Sequence, residues 1–229
     1  MFAAACLLVL LAACWRVPAP ATEPASPAAA VPAPPAKPAP AAAPTDAWAL
    51  PGTLHPRTSE ADLRTRFGAA NVKRETLPGA EGIGQYPLLV VYPDDPRRRL
   101  ELVMDEGQPG GPIQTLRIAG TGSLWHAGGI RLGMPLAELV ALNGAPVGFY
   151  GLSWDYGGRV ADWHGGKLAQ AEGQPPAYGV VLGTRDDDHG DGLPMGDAQF
   201  RSDDPRWPGI GERLVVRELS VGWPDERGD

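Results

Sequence analysis

Thr58-Ser59-Glu60-Ala61-Asp62-Leu63-Arg64-Thr65-Arg66-Phe67-Gly68-Ala69 finds an echo 76 positions later in Met134-Pro135-Leu136-Ala137-Glu138-Leu139-Val140-Ala141-Leu142-Asn143-Gly144-Ala145. Both segments carry an acidic residue followed by Leu, then Gly-Ala five positions further on. Each reads as a short helix with a glycine stop. Thr58 or Ser59 can cap the first, with acidic residues in its opening turn. Pro135 suits the first turn of the second. Gly68 and Gly144 fit the left-handed position just past a helix end. A unit that recurs at a fixed offset is the mark of a duplicated supersecondary element.

Strand-like runs follow each helix. After the first come 71–76, 86–92, 98–105 and 113–119, separated by Pro93-Asp94-Asp95-Pro96 and by Gly107-Gln108-Pro109-Gly110-Gly111-Pro112. Leu100, Leu102 and Met104 alternate with Arg99, Glu101, Val103 and Asp105, which predicts a strand with one face mostly in water. After the second helix the runs are 147–156, 159–163, 178–185 and 214–222. Between the last two lies a polar stretch, 186–208, too long for a plain hairpin turn. The expected architecture is α+β: two tandem units, 46–122 and 123–229, each a short helix followed by an antiparallel meander.

What precedes Asp46 has a different character. Residues 2–13, Phe-Ala-Ala-Ala-Cys-Leu-Leu-Val-Leu-Leu-Ala-Ala, are too few to span a bilayer as a helix but match the apolar region of a signal peptide. Leu11-Ala12-Ala13-Cys14 resembles a lipobox, which implies a signal peptide over 1–13, cleavage before Cys14 and acyl chains on that cysteine. No Lys or Arg follows Met1, and the expectation is a start codon placed too late. Trp15, rather than Asp, after the cysteine favours the outer membrane by resemblance to lipoprotein sorting in enterobacteria. From Val17 to Thr45, 22 of 29 residues are Pro or Ala. Such a chain cannot bury apolar surface and prefers polyproline II. The linker 14–45 therefore reads as a lipidated tether reaching up to roughly 90 Å at about 3.1 Å per residue.

The net charge of −7 belongs wholly to the part beyond the tether, because Arg16 and Lys37 offset Glu23 and Asp46. An acidic body has no electrostatic reason to bind nucleic acid. The two cysteines, Cys6 and Cys14, both precede that body, so it holds no disulfide, thiol nucleophile or cysteine metal site.

Gly133-Met134-Pro135 through Gly144-Ala145-Pro146, with aromatic strands after it, resembles the signature of the SmpA/BamE family of small outer-membrane lipoproteins. Tandem copies of a similar unit make up the β-lactamase-inhibitor-protein fold. The first copy lacks Gly-Met before its helix and Pro after it. The resemblance implies protein–protein binding without catalysis, a lipid-held position on the membrane and an envelope protein as partner.

On a strand from 147 to 156, Tyr150, Leu152, Trp154 and Tyr156 share one face, opposite Phe149 and Asp155, and Trp163 falls on the next strand. Tyr150, Trp154, Tyr156 and Trp163 are thus a candidate binding face. Large rings also dominate cores, and the favoured expectation is a core beneath the second helix.

Asp186-Asp187-Asp188-His189-Gly190-Asp191-Gly192 has the alternation of a calcium loop. His189 stands at its middle position, however, and no glutamate follows at the expected distance, so a solvated insertion or an acidic docking patch is expected instead. His55, His126, His164 and His189 show no ligand spacing, Gly151-Leu152-Ser153-Trp154-Asp155 lacks the second glycine of a nucleophile elbow, and Gly128–Gly133 lacks a phosphate-loop ending. No cofactor is expected. A non-catalytic binding module is the first reading. The alternatives are a peptidoglycan or small-ligand binding protein, and a periplasmic hydrolase using Asp155, His164 or the 186–191 loop.

Overall fold

The computed structural model describes residues 46–79, 82–104, 110–169, 176–186, 188 and 190–223. The leader, Cys14 and the tether, together with Asp187 and His189, lie outside the described residues. Everything described falls within one compact unit, Pro44–Asp229.

In chain order the elements are β1 (Ala49–Leu50), α1 (Glu60–Phe67), β2 (Val72–Pro78), β3 (Gln85–Val91), β4 (Leu100–Met104), β5 (Ile113–Ala119), β6 (His126–Ala127), β7 (Ile130–Arg131), α2 (Leu136–Asn143), β8 (Gly148–Tyr150), β9 (Val160–Asp162), β10 (Ala177–Thr184), β11 (Gln199–Arg201), α3 (Ile210–Arg213) and β12 (Leu214–Gly222). The protein is α+β and mostly β. Six strands form an antiparallel sheet in the order β10-β12-β5-β4-β3-β2. The pairing of β12 with β5 joins the strands of 46–122 to those of 123–229. Two small sheets flank it, β1-β6-β7 and β11-β8-β9.

One face of the large sheet builds the core. Leu89, Val91, Leu100, Leu102, Leu116, Ile118, Val180, Leu182, Val216, Leu219 and Val221 point to that side, at period two except for a bulge between Val216 and Leu219, and are buried with Leu63 of α1 and Leu136 and Leu139 of α2. Of the two expected caps, Thr58 and Ser59, it is Ser59 that caps α1, in a capping box: the Asp62 amide donates to Ser59 Oγ (3.2 Å) and the Ser59 amide to Asp62 Oδ2 (2.9 Å). Gly144 adopts the left-handed cap expected of it. The Gly68 amide closes the helix by donating to the Arg64 carbonyl (3.0 Å), but Gly68 has positive φ with an extended ψ, not the left-handed conformation expected of it, and the chain runs directly into a 3₁₀ turn, Ala69–Asn71.

The opposite face differs from the water-exposed surface expected of β4. A row of alternating charges crosses it: Glu75 pairs with Arg99 (2.7 Å), Arg99 with Glu101 (3.0 Å), Glu101 with Arg117, and Arg117 with Glu218 (2.6 Å). Glu101 is buried between its two arginines, and Leu88 and Val90 are sealed on the same side of the sheet. The hydrogen bond that Arg99 donates to Glu75 holds the guanidinium above its usual range.

The chain enters the fold through a strap. The Trp48 amide donates to Asp46 Oδ1 (3.1 Å), and Asp46 Oδ2 lies 2.8 Å from His126 Nε2. The Trp48 amide first, and His126 second, keep the Asp46 carboxyl below the ordinary aspartate range. β1 then pairs in parallel with β6, and Leu50 and Leu54 are buried.

Asn143, fully buried at the end of α2, ties that helix to the loop after β9. Its Nδ2 donates to the carbonyls of Ala145 (3.0 Å) and Trp163 (2.9 Å), and its Oδ1 accepts from the Leu168 amide (3.1 Å). Asn143→Leu strands these three backbone groups away from water. The expected cost is about 3 kcal/mol, read as a lower urea midpoint at unchanged slope.

Candidate functional site

β8 does not continue to residue 156. It ends at Tyr150, and residues 151–158 form the tip of a hairpin closed by the Tyr150 amide donating to the Arg159 carbonyl (3.0 Å) and the Gly158 amide to the Tyr150 carbonyl (3.0 Å). The glycines at 151, 157 and 158 and the positive φ of Ser153 (65°) turn the chain where alternation alone predicts a strand. The shared strand face for Tyr150, Leu152, Trp154 and Tyr156 is therefore corrected. Leu152 joins Phe149 in the core, whereas the rings gather outside it.

Tyr150 packs edge-on against Trp154 (centroids 5.5 Å apart, 81°), and Trp154 against Tyr156 (5.2 Å, 63°). The expectation of a ring core beneath α2 does not hold for Trp154 and Tyr156, which are 36% and 47% exposed. Trp154 Nε1 donates back to the Gly151 carbonyl (3.0 Å), which fixes the indole on its own turn. Trp163 stands apart, half-buried against the core near the end of α2, with its carbonyl held by Asn143. Among the described residues its ring makes no aromatic pair with the other three.

The polar stretch 186–208 is not an unstructured insertion. It contributes β11, which pairs with β8, and a strap that supports the tip. The Leu152 amide donates to the Pro194 carbonyl (2.9 Å), the Gly196 amide to the Leu152 carbonyl (2.9 Å) and the Gly151 amide to the Ala198 carbonyl (2.9 Å). This places Met195, 51% exposed, beside the rings. Leu152, Trp154, Leu182 and Met195 line a cleft of about 330 Å³ with the backbone at Gly183 and Gly190. Of the four large apolar side chains exposed among the described residues, Trp154 and Met195 line it and Tyr156 packs on Trp154. Met195 and Leu182 were missed in the sequence; a lone Met in a run of Asp and Gly was the available signal.

The acidic loop is tied to the sheet. Arg213 donates to both carboxyl oxygens of Asp188 (2.7 and 2.8 Å), and Arg217 to Asp186 (2.7 Å). The Asp188 hydrogen bond holds Arg213 above its usual range. Among the described residues, no group of three or more His, Cys, Asp or Glu could hold a metal ion. His164 Nδ1 lies 3.1 Å from Asp162 and makes no bond to Asp155; His55 Nδ1 accepts from the Arg57 amide. No helix among the described residues is long and apolar enough to cross a membrane.

Compared with protein-family models, with curated proteins and with solved structures, the chain matches none.

Proposed function

We propose that the chain is an envelope lipoprotein, cleaved before Cys14 and acylated there, whose folded body is a non-catalytic protein-binding module held on the outer membrane facing the periplasm. The observation that carries the binding role is the cleft lined by Trp154 and Met195, with Tyr156 packed on Trp154. Exposed Trp, Tyr and Met gathered at one spot, on a rigid support, are the composition of an interface hot spot rather than of ordinary surface. The lipobox and the Pro/Ala tether support the address, since such a tether displays a body away from the membrane that anchors it. The duplicated helix with its glycine stop supports kinship with the SmpA/BamE-like tandem fold: α1 packs on β2 and β3, and α2 on β12.

The test has two parts. Palmitate is expected to label the full chain and not Cys14→Ser, which should also leave the membrane fraction. A stoichiometric protein partner recovered from cross-linked envelopes is expected to be lost in Trp154→Ala, with circular dichroism unchanged. Labelling of Cys14→Ser would overturn the address. Recovery of peptidoglycan in place of a protein, or a partner indifferent to Trp154, would overturn the binding role.

A further inference from the structure

We propose that the open edge of β2 is a dimerisation strand, which pairs antiparallel with β2 of a second copy of this chain about a two-fold axis through Arg74. The proposal is independent of the cleft. The large sheet has two edges, β10 and β2. The second half of β10 is closed to further pairing. A bulge between Val181 and Leu182 breaks its register, the Leu182 amide donates to the Gly158 carbonyl (2.8 Å), and Arg159 bridges Val181. β2 is regular instead, and all of Val72–Pro78 pairs with β3 without a register shift. Just outside the strand, the Tyr92 amide donates to the Asn71 carbonyl (2.8 Å) and the Gly79 amide to the Gly84 carbonyl (3.2 Å). These two bonds fix the alternation between them. Lys73, Glu75 and Leu77 turn their backbone groups towards β3, and Val72, Arg74 and Thr76 turn theirs outward. Among the described residues, nothing bonds the outward N–H and C=O groups of those three. A regular edge left in this state is a template for another strand.

Charge selects a second copy and its register. Outward-facing residues must meet outward-facing residues, which leaves few antiparallel registers between two copies of β2. With the axis at Arg74, Val72 exchanges backbone hydrogen bonds with Thr76 of the other copy, and Arg74 with its own equivalent. Lys73 then stands opposite Glu75 of the other copy, twice by symmetry, in the position where cross-strand side chains approach closest. An axis at Lys73 sets two lysines opposite each other, and one at Glu75 sets two glutamates. An axis at Thr76 brings Arg74 against Pro78, which has no N–H to give. The two Arg74 side chains that meet at the chosen axis arrive neutralised, because each donates through Nε to Glu60 Oε2 of its own α1 (2.8 Å). Lys73 is held only by Asp94, in a pair open to water, so it is free to turn to the new carboxylate. Because β10 is capped, a head-to-tail chain of sheets is blocked and the assembly closes as a symmetric dimer.

The experiment uses the mature full chain, with detergent in excess so that each micelle holds one chain. Sedimentation is expected to show a weak dimer, with a dissociation constant on the order of 10 μM, as befits a small interface. Hydrogen exchange reads the edge itself. The amides of Val72, Arg74 and Thr76 are expected to exchange fast in dilute protein and to slow as concentration rises, while those of Lys73, Glu75 and Leu77 are slow throughout. Thr76→Pro removes one outward N–H and no bond to β3, as Pro78 already does, so it is expected to abolish the dimer and leave circular dichroism unchanged. Lys73→Glu and Glu75→Lys are each expected to weaken the dimer about tenfold, and the two together to restore it. A chain still monomeric at about 1 mM, a dimer indifferent to Thr76→Pro, or a double substitution no better than either single one would overturn the proposal. Protection of the outward amides that appears only when envelope proteins are added would give the edge to a different chain and overturn the second copy. The cleft and its test at Trp154 stand or fall separately.

Discussion

Trp125→Ala is expected to lower the stability of the folded body by about 3–5 kcal/mol, the range for deleting a buried tryptophan. The ring is 1% exposed and sits where three segments distant in sequence meet. Trp48 of the entering strap packs edge-on against it (4.8 Å, 79°), and Phe67 at the end of α1 does so at 6.3 Å. Its Nε1 donates to the Arg98 carbonyl just before β4 (2.7 Å). Removing the ring therefore opens a cavity, leaves a carbonyl without its donor, and takes from Trp48 of the strap its aromatic partner. Trp125→Phe keeps most of the packing and loses only the hydrogen bond, so about 1–2 kcal/mol is expected. Urea unfolding of both variants separates the two effects. A loss in Trp125→Ala no greater than in Trp125→Phe would mean that the strap does not pack on this ring.

The strands that the sequence disclosed are the longer runs rich in aliphatic and β-branched residues. β5 and β12 match the expected runs end to end, Ile113–Ala119 and Leu214–Gly222, although each holds one register shift that breaks its period-two pattern. β1, β6 and β7 are two residues each and carry no period at all; their position is set by Trp48, Leu50 and Trp125 reaching the core. β11 was hidden because a three-residue strand among aspartates has too little apolar content to stand out. At the candidate site the residue types were legible and their sidedness was not. The alternation from Tyr150 to Tyr156 assumed an extended backbone, and once the chain reverses at 151–158, Leu152 turns inward while Trp154 and Tyr156 stay out. The burial of Glu101 was illegible for a related reason: Arg99 adjoins it in the same run, but Arg117 lies on β5, and only sheet register closes the second side.

Gly158→Ala is expected to release the aromatic tip while sparing the sheet that carries it. Gly158 has φ of 75°, and a Cβ there would stand 1.9 Å from the Leu182 carbonyl oxygen and 2.9 Å from its carbon. The left-handed backbone alone costs a non-glycine residue about 1–2 kcal/mol. The clash adds more, because the obstacle is backbone of β10 and cannot rotate away. The Leu182 amide donates to the Gly158 carbonyl (2.8 Å), and Arg159 bridges Val181, so the methyl group must push apart the contact that docks the tip against β10. β10 stays paired with β12 through the Leu182–Val216 register, which confines the damage. Gly192→Ala is the control: its φ is 67°, with nothing within 4 Å of the added carbon. Hydrogen exchange at the Leu182 amide is expected to accelerate in Gly158→Ala and not in Gly192→Ala, with protection in β5 and β12 intact. Capture of a partner is expected to fall with it, since a hot spot acts only while its support holds the rings in place. Equal exchange at Leu182 in the two variants would show that the tip does not dock on β10, and the cleft between Trp154 and Leu182 would then have no fixed wall.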